Sequence, residues 1–84
     1  MRNHDFRDMF LAAGVPEDQI EDVLEYFRAF GGAAKIISVT DYEISLSTRA
    51  VMEERLDADD VHSPAARYLI ALVERIADWE DQAS

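Results

Sequence analysis

Residues 63–81 read SPAARYLIALVERIADWED, and this stretch decides the fold. Ser63 is a typical helix N-cap, and Pro64 suits the first helical position, where no backbone N–H is needed. Apolar residues then recur every three or four positions, which predicts an amphipathic helix over 64–82. The remaining segments must cover its apolar stripe, which consists of Tyr68, Leu69, Leu72, Val73, Ile76 and Trp79.

A short amphipathic helix is predicted near the start of the chain, over residues 5–13. Asn3 or Asp5 is the expected N-cap of this helix. Gly14 is the expected stop, because glycine tolerates the left-handed backbone that often ends a helix. The predicted apolar face consists of Phe6, Met9, Phe10 and Ala13.

A longer helix is predicted over residues 16–30, beginning at Pro16 and ending at the pair Gly31-Gly32. Its apolar stripe consists of Ile20, Val23, Leu24, Phe27 and Phe30, and its opposite side gathers Asp18, Glu21, Asp22 and Glu25. Tyr26 lies off the apolar stripe and is free to contact something else.

Residues 35–47 permit two interpretations. In the first, Thr40-Asp-Tyr-Glu43 is a capping box that opens a helix over 41–57. In the second, 35–47 form a β-hairpin, because Ile36-Ile-Ser-Val39 is rich in β-branched residues. The helical interpretation buries Tyr42, Leu46, Ala50, Met52 and Leu56, and leaves Ile44 and Val51 as a second contact surface.

The pattern as a whole predicts one all-α domain of four helices over residues 1–84. The alternative is an α+β domain, in which the hairpin over 35–47 packs on three helices. Apolar residues make up 49% of the chain, which argues against disorder. So many apolar residues in so small a domain also lead us to expect a homodimer or a protein partner.

The charge balance narrows the choice of partner. The chain has 18 acidic and 8 basic residues and a net charge of −10, so it should repel phosphate backbones and bind no nucleic acid directly. It has no cysteine, and we find no secretory signal and no apolar run long enough to cross a bilayer. We therefore expect a cytoplasmic protein with no membrane contact.

No motif of catalysis or metal binding is recognised. His4 and His62 are the only histidines, and neither belongs to an HExxH pair. The acidic loop 57–62 lacks the glycine and the glutamate that a calcium loop needs at its sixth and twelfth positions. We expect no enzyme activity, no metal and no cofactor.

Two acidic clusters and one aromatic residue are the candidate partner-binding sites. The carboxylates of the 16–30 helix and of the acidic loop would meet Arg and Lys side chains of a partner. Trp79 either closes the end of the core over Tyr68 and Leu72, or is partly exposed and anchors the partner. The candidate residues are Asp18, Glu21, Asp22, Glu25, Asp57, Asp59, Asp60 and Trp79.

The second half of the chain carries a series of short motifs. In order, they are Thr40-Asp-Tyr-Glu, Leu46, Met52 to Leu56, the acidic loop, Ser63-Pro64, and Leu69 to Trp79-Glu80. Over roughly residues 40–82, this series resembles the N-terminal helical region of HigA-type antitoxins. The resemblance implies helix-mediated self-association and contact with a partner such as a basic ribonuclease toxin. In that family a helix-turn-helix domain follows. Because this chain ends at Ser84 and is acidic, the DNA-reading role is not carried over.

These observations predict an acidic protein–protein interaction module, antitoxin-like or inhibitory, that binds a basic partner surface. As an antitoxin it would neutralise a toxin encoded beside it. One alternative is a phage- or plasmid-borne inhibitor whose carboxylates imitate nucleic-acid charge, with strongly salt-dependent binding to a DNA-binding protein. Another is a purely structural homodimer that uses the surface around Ile44 and Val51.

Overall fold

The computed structural model describes residues 3–83, and their side chains from Phe6 onward. The four helices are α1 (Asn3–Ala12), α2 (Glu17–Phe30), α3 (Val39–Arg55) and α4 (Pro64–Ala83). No strand occurs among the described residues, so the predicted all-α fold is confirmed and the alternative hairpin over 35–47 is wrong. The expected cap at Asn3 or Asp5 involves side chains that lie outside the described part.

Helix α3 begins earlier than the sequence pattern predicts, because its N-cap is Ser38 and not Thr40. Ser38 has an extended backbone, with φ −152° and ψ 162°, and its Oγ accepts a hydrogen bond of 3.1 Å from the Asp41 N–H. This serine caps one of the free N–H groups of the first turn. Thr40 already lies inside that turn, so the capping box predicted at Thr40-Asp-Tyr-Glu43 is wrong.

The turn between α1 and α2 is closed by two backbone hydrogen bonds around Gly14. The Val15 N–H donates to the Phe10 carbonyl (3.0 Å) and the Gly14 N–H to the Leu11 carbonyl (3.1 Å), which is the Schellman arrangement. Gly14 has φ 90°, a conformation that favours glycine, so the predicted stop is confirmed. Val15 and Phe10 are both buried, so the turn also contributes to the core.

The core is centred on Tyr68, which three phenylalanine rings surround. The ring centroids of Phe6, Phe10 and Phe27 lie 5.9, 5.2 and 5.7 Å from that of Tyr68, all in edge-on geometry. Such contacts add about 0.5–1.5 kcal/mol each beyond the burial of the rings. Because the phenylalanines belong to α1 and α2, this aromatic cluster ties both helices to α4.

The buried face of α3 differs from the predicted one. Leu46 and Ala50 are exposed, whereas Ile44 and Val51 pack against the core. Thr48 is only 2% exposed, and its hydroxyl donates to the Ile44 carbonyl at 2.8 Å, so its burial leaves no unpaired group. The predicted Tyr42, Met52 and Leu56 do lie in the core or against it, so the inward face is displaced from the predicted stripe toward Thr48. Ile44 and Val51, which the sequence pattern leaves as a second contact surface, are partly buried against this core.

The segment between α2 and α3 runs along α4 instead of forming a strand. Gly32 passes close to Ala71, and the Arg75 Nε–H donates to the Ala33 carbonyl at 2.9 Å. Ala33 and Ile36 are buried. After this segment, α3 packs antiparallel along α4 and also against α1. Helices α2 and α3 do not pack along each other, which leaves an opening between them.

Phe30 is the one member of the predicted α2 stripe that does not face inward, since it is 73% exposed. It is the last residue of α2, and the helix ends at Gly31, whose backbone is left-handed with φ 72°. The Phe30 ring lies against Tyr26 on the outer side of the helix, with centroids 4.6 Å apart. The chain after Phe30 runs to α4, where Gly32 lies beside Ala71 and Ala33 is buried, and it leaves the Phe30 ring uncovered.

Candidate binding surfaces

The outer side of α2 carries a row of side chains spaced four residues apart, so that each lies next to the following one on the helix surface. The row runs from acidic to aromatic: Asp18, Asp22, Tyr26 and Phe30, with Glu25 beside it. Asp18, Asp22 and Glu25 are exposed, and none of them forms an ion pair with another described residue. We call these five residues the α2 outer face.

Glu21 differs from its acidic neighbours because it has a partner within the chain. Arg7 of α1 donates a hydrogen bond to the Glu21 carboxylate and lies 3.8 Å from that of Glu17. Arg7 is the more protected member of both pairs. Glu21 therefore helps to hold α1 on α2, and its carboxylate is less available to a partner than those of the α2 outer face.

In the acidic loop, the Asp60 carboxylate is hydrogen-bonded to the residues that begin α4. It accepts hydrogen bonds from the Ser63 hydroxyl (2.7 Å), the Ser63 N–H (3.1 Å) and the His62 N–H (3.2 Å). The bonds from Ser63 lower the pKa of Asp60 below its ordinary value. Ser63 accepts in turn from the Ala66 N–H at 3.2 Å, so the predicted N-cap is confirmed. Asp57 and Asp59 are exposed.

Trp79 packs on the edge of the core and is partly exposed. Its ring stacks on Tyr42 of α3, with centroids 6.1 Å apart and planes 28° from parallel. The Tyr42 hydroxyl donates to the Glu80 carboxylate, which raises the pKa of Tyr42. These contacts join the end of α4 to the start of α3. The acidic loop lies at the opposite end of α4, about 24 Å away at a rise of 1.5 Å per residue, so the two candidate sites are separate.

An apolar cleft of about 300 Å³ opens between α2, the segment 34–36 and α3. Its walls and floor are mainly apolar, and three charged residues, Asp22, Lys35 and Asp41, lie along it. Tyr68 and Leu72 of α4 also line it. The sequence pattern gave no sign of this cleft, because it depends on how far apart α2 and α3 lie. Asp22 belongs both to the cleft and to the α2 outer face.

Tyr68 is the most protected polar side chain of the cleft apart from Thr48. It is 6% exposed, and burial raises the pKa of its phenol to about 12. The phenol is therefore neutral at physiological pH and serves as both a donor and an acceptor. The described residues provide its hydroxyl with no hydrogen-bond partner.

Within the described residues, no three His, Cys, Asp or Glu side chains are grouped closely enough to hold a metal ion. None of the described helices combines the length and the apolarity that crossing a bilayer requires.

Comparison of the chain with family models, with curated proteins and with solved structures found no match. The resemblance of residues 40–82 to HigA-type antitoxins therefore stays a prediction.

Proposed function

We propose that this protein is an acidic protein–protein interaction module, antitoxin-like or inhibitory, which acts by binding a basic surface of its partner. The observation that carries the proposal is the α2 outer face. Three exposed carboxylates that form no ion pair with another described residue stand there beside two aromatic rings, one of which is 73% exposed.

The two halves of this face would act differently in binding. The carboxylates attract a basic partner and align it, because long-range charge mainly raises the association rate and the specificity. The rings of Tyr26 and Phe30 supply apolar area that a partner can cover, and tyrosine and phenylalanine are enriched at interfaces. Trp79 and the exposed Asp57 and Asp59 remain secondary candidates, since they lie at the two ends of α4.

We further propose a cytoplasmic setting and a homodimeric state. The cysteine-free sequence favours a reducing compartment. Self-association is favoured by the large apolar side chains that the described fold leaves exposed, which are Leu11, Phe30, Ile37, Val39, Leu46, Val61 and Ile70.

The test compares two triple variants of equal charge as bait in a native cell extract. The first, Asp18→Lys with Asp22→Lys and Glu25→Lys, reverses the α2 outer face and leaves the Arg7–Glu21 contact intact. The control, Glu43→Lys with Glu54→Lys and Glu74→Lys, makes the same change in net charge on α3 and α4. The captured protein is identified, purified and titrated against each bait by calorimetry at low and at high salt.

We expect the wild type and the control to bind the same basic partner at low salt, and the α2 variant to lose it. High salt should weaken the wild-type complex, because it screens the attraction between the charges. If the α2 variant binds as tightly as the control, its carboxylates are only a solvated surface and the proposal is wrong. Circular dichroism of all three proteins checks that the helices remain formed.

A further inference from the structure

The cleft between α2 and α3 is lined by a protected polar residue to which no described residue is hydrogen-bonded. Tyr68 is 6% exposed, lines the cleft, and has no hydrogen-bond partner among the described residues. No fully buried side-chain oxygen or nitrogen of those residues lacks a partner, so the Tyr68 hydroxyl must touch accessible space. Tyr68 itself lines the cleft, so a ligand bound there lies against this residue.

The charges around the cleft favour a cation. Asp22 of α2 and Asp41 of α3 both line it, and neither forms an ion pair with a described residue. Lys35 is the opposing charge, but it is exposed, and its long stem allows the ammonium to stay in water. Two carboxylates and one ammonium thus line the cleft, in a chain of net charge −10, and this balance of charges favours a positively charged ligand.

The remaining walls suit an apolar body. Val23, Ile36 and Ile44 line the cleft, as do the rings of Phe10 and Tyr26. Aromatic faces also attract cations through their quadrupoles. A volume of about 300 Å³ accommodates roughly ten non-hydrogen atoms, at about 30 Å³ for each atom by comparison with water.

We infer that this cleft binds a small ligand that consists of an apolar or aromatic body and an ammonium group. The body packs on Val23, Ile36 and Ile44, and the ammonium donates hydrogen bonds to Asp22, Asp41 and the Tyr68 hydroxyl. The inference does not depend on the docking function proposed above, because it concerns a cavity and needs no protein partner.

The test is an NMR titration of isotope-labelled protein with phenethylammonium, which has nine non-hydrogen atoms and therefore about the right size. Phenylacetate is the probe of similar size and opposite charge. We expect saturable shifts at the methyl groups of Val23, Ile36 and Ile44, and binding of phenylacetate at least about tenfold weaker. Blocked lysine is a third probe, which imitates a lysine side chain of a partner protein. Tighter binding of phenethylammonium indicates that the ligand is a free amine, and tighter binding of blocked lysine indicates a lysine of a partner protein.

Three variants test the groups that recognise the ligand. Tyr68→Phe keeps the ring and removes the hydroxyl, and the pair Asp22→Asn with Asp41→Asn removes the charges; each should weaken binding by about tenfold. The control pair Asp8→Asn with Glu54→Gln makes the same charge change at exposed positions away from the cleft and should bind as the wild type does. Ala34→Trp places a large ring at an exposed position of the cleft and should block binding without disturbing the core.

Three outcomes would overturn the inference. The first is phenylacetate that binds as tightly as phenethylammonium, since the cleft would then have no preference for a cation. The second is a pattern of shifts away from the cleft. The third is equal binding by the wild type and the Asp22, Asp41 pair. Failure of this titration leaves the partner-binding test unaffected, because that test measures a different complex.

Discussion

The carboxylate of Asp60 joins the α3–α4 loop to the first turn of α4. It accepts three hydrogen bonds from Ser63 and His62, and the Ser63 hydroxyl oxygen in turn accepts one from the Ala66 N–H. In the sequence, Asp60 belongs with Asp57 and Asp59 to one acidic cluster. The structure distinguishes them, because the first has a role within the chain while the other two are exposed.

We predict that Asp60 contributes stability in a pH-dependent way. Its folded-state pKa lies below the ordinary value of 3.8, so the folded state favours the ionised form. The contribution is therefore fully present above that value and is lost as the pH falls through the lower folded-state pKa. Asp60→Asn should destabilise the protein at neutral pH, and the difference from the wild type should shrink in acid.

The measurement is the free energy of unfolding in urea, at neutral pH and well below pH 3.8. Asp59→Asn is the control, because Asp59 is exposed and should show no such pH-dependent difference. If Asp60→Asn differs from the wild type by the same amount at both pH values, its bonds to Ser63 do not depend on its charge.

At the scale of the helix, α3 shows how a single polar residue can mislead a periodicity argument. Met52 is fully buried and was predicted to be so, but Leu46 of the same predicted stripe is 37% exposed. Thr48 takes the central inward position because its hydroxyl bonds within the helix. The buried side of α3 is therefore displaced from the one that the apolar residues alone indicate.

We expect Met52→Ala to cost about 2–5 kcal/mol of unfolding free energy, because it leaves a cavity in the core. Leu46→Ala should cost roughly 0.5 kcal/mol or less, as is usual at the surface. Urea unfolding followed by circular dichroism compares the two. Equal costs would contradict the assignment of the inward face.

The other helices were easier to predict, for physical reasons that differ from case to case. Helix α4 has both a serine cap and an uninterrupted apolar stripe, and α1 ends at a glycine that its turn requires. The local sequence does not determine where α3 begins, because Ser38 and Thr40 are both suitable caps. Only the path of the preceding segment decides between them. Arg75 and the buried Ile36 hold that segment on α4.

At the scale of the whole molecule, the acidic surface of α2 was visible in the sequence, while the cleft was not. Helical spacing is enough to place Asp18 and Asp22 on one side of a helix. The cleft arises from contacts between helices distant in the chain, and in particular from α2 packing on α1 and not on α3. No local pattern encodes such a separation.

The net charge should itself limit stability. The described ion pairs engage Arg7, Arg49 and Arg75, while acidic residues outnumber basic ones by 18 to 8. We therefore expect the melting temperature to rise as sodium chloride is added, because salt screens the repulsion between like charges. Calorimetry over a salt series measures this directly.

The control for this salt effect is the triple variant at Glu43, Glu54 and Glu74. Its reversals bring the net charge from −10 to −4, since each one adds two positive charges. Its melting temperature should respond less to salt than that of the wild type. An equal response would show that specific ion binding, and not general repulsion, is responsible.

Because Trp79 stacks on Tyr42, its fluorescence reports whether the end of α4 is in contact with the start of α3. Trp79 is the sole tryptophan of the sequence, so intrinsic emission excited at long wavelength comes from this one indole. When the end of α4 separates from the start of α3, the indole loses its neighbouring ring and enters water, while ellipticity still registers intact helices. Fluorescence and dichroism recorded on the same sample would thus distinguish fraying at this end from loss of the entire fold.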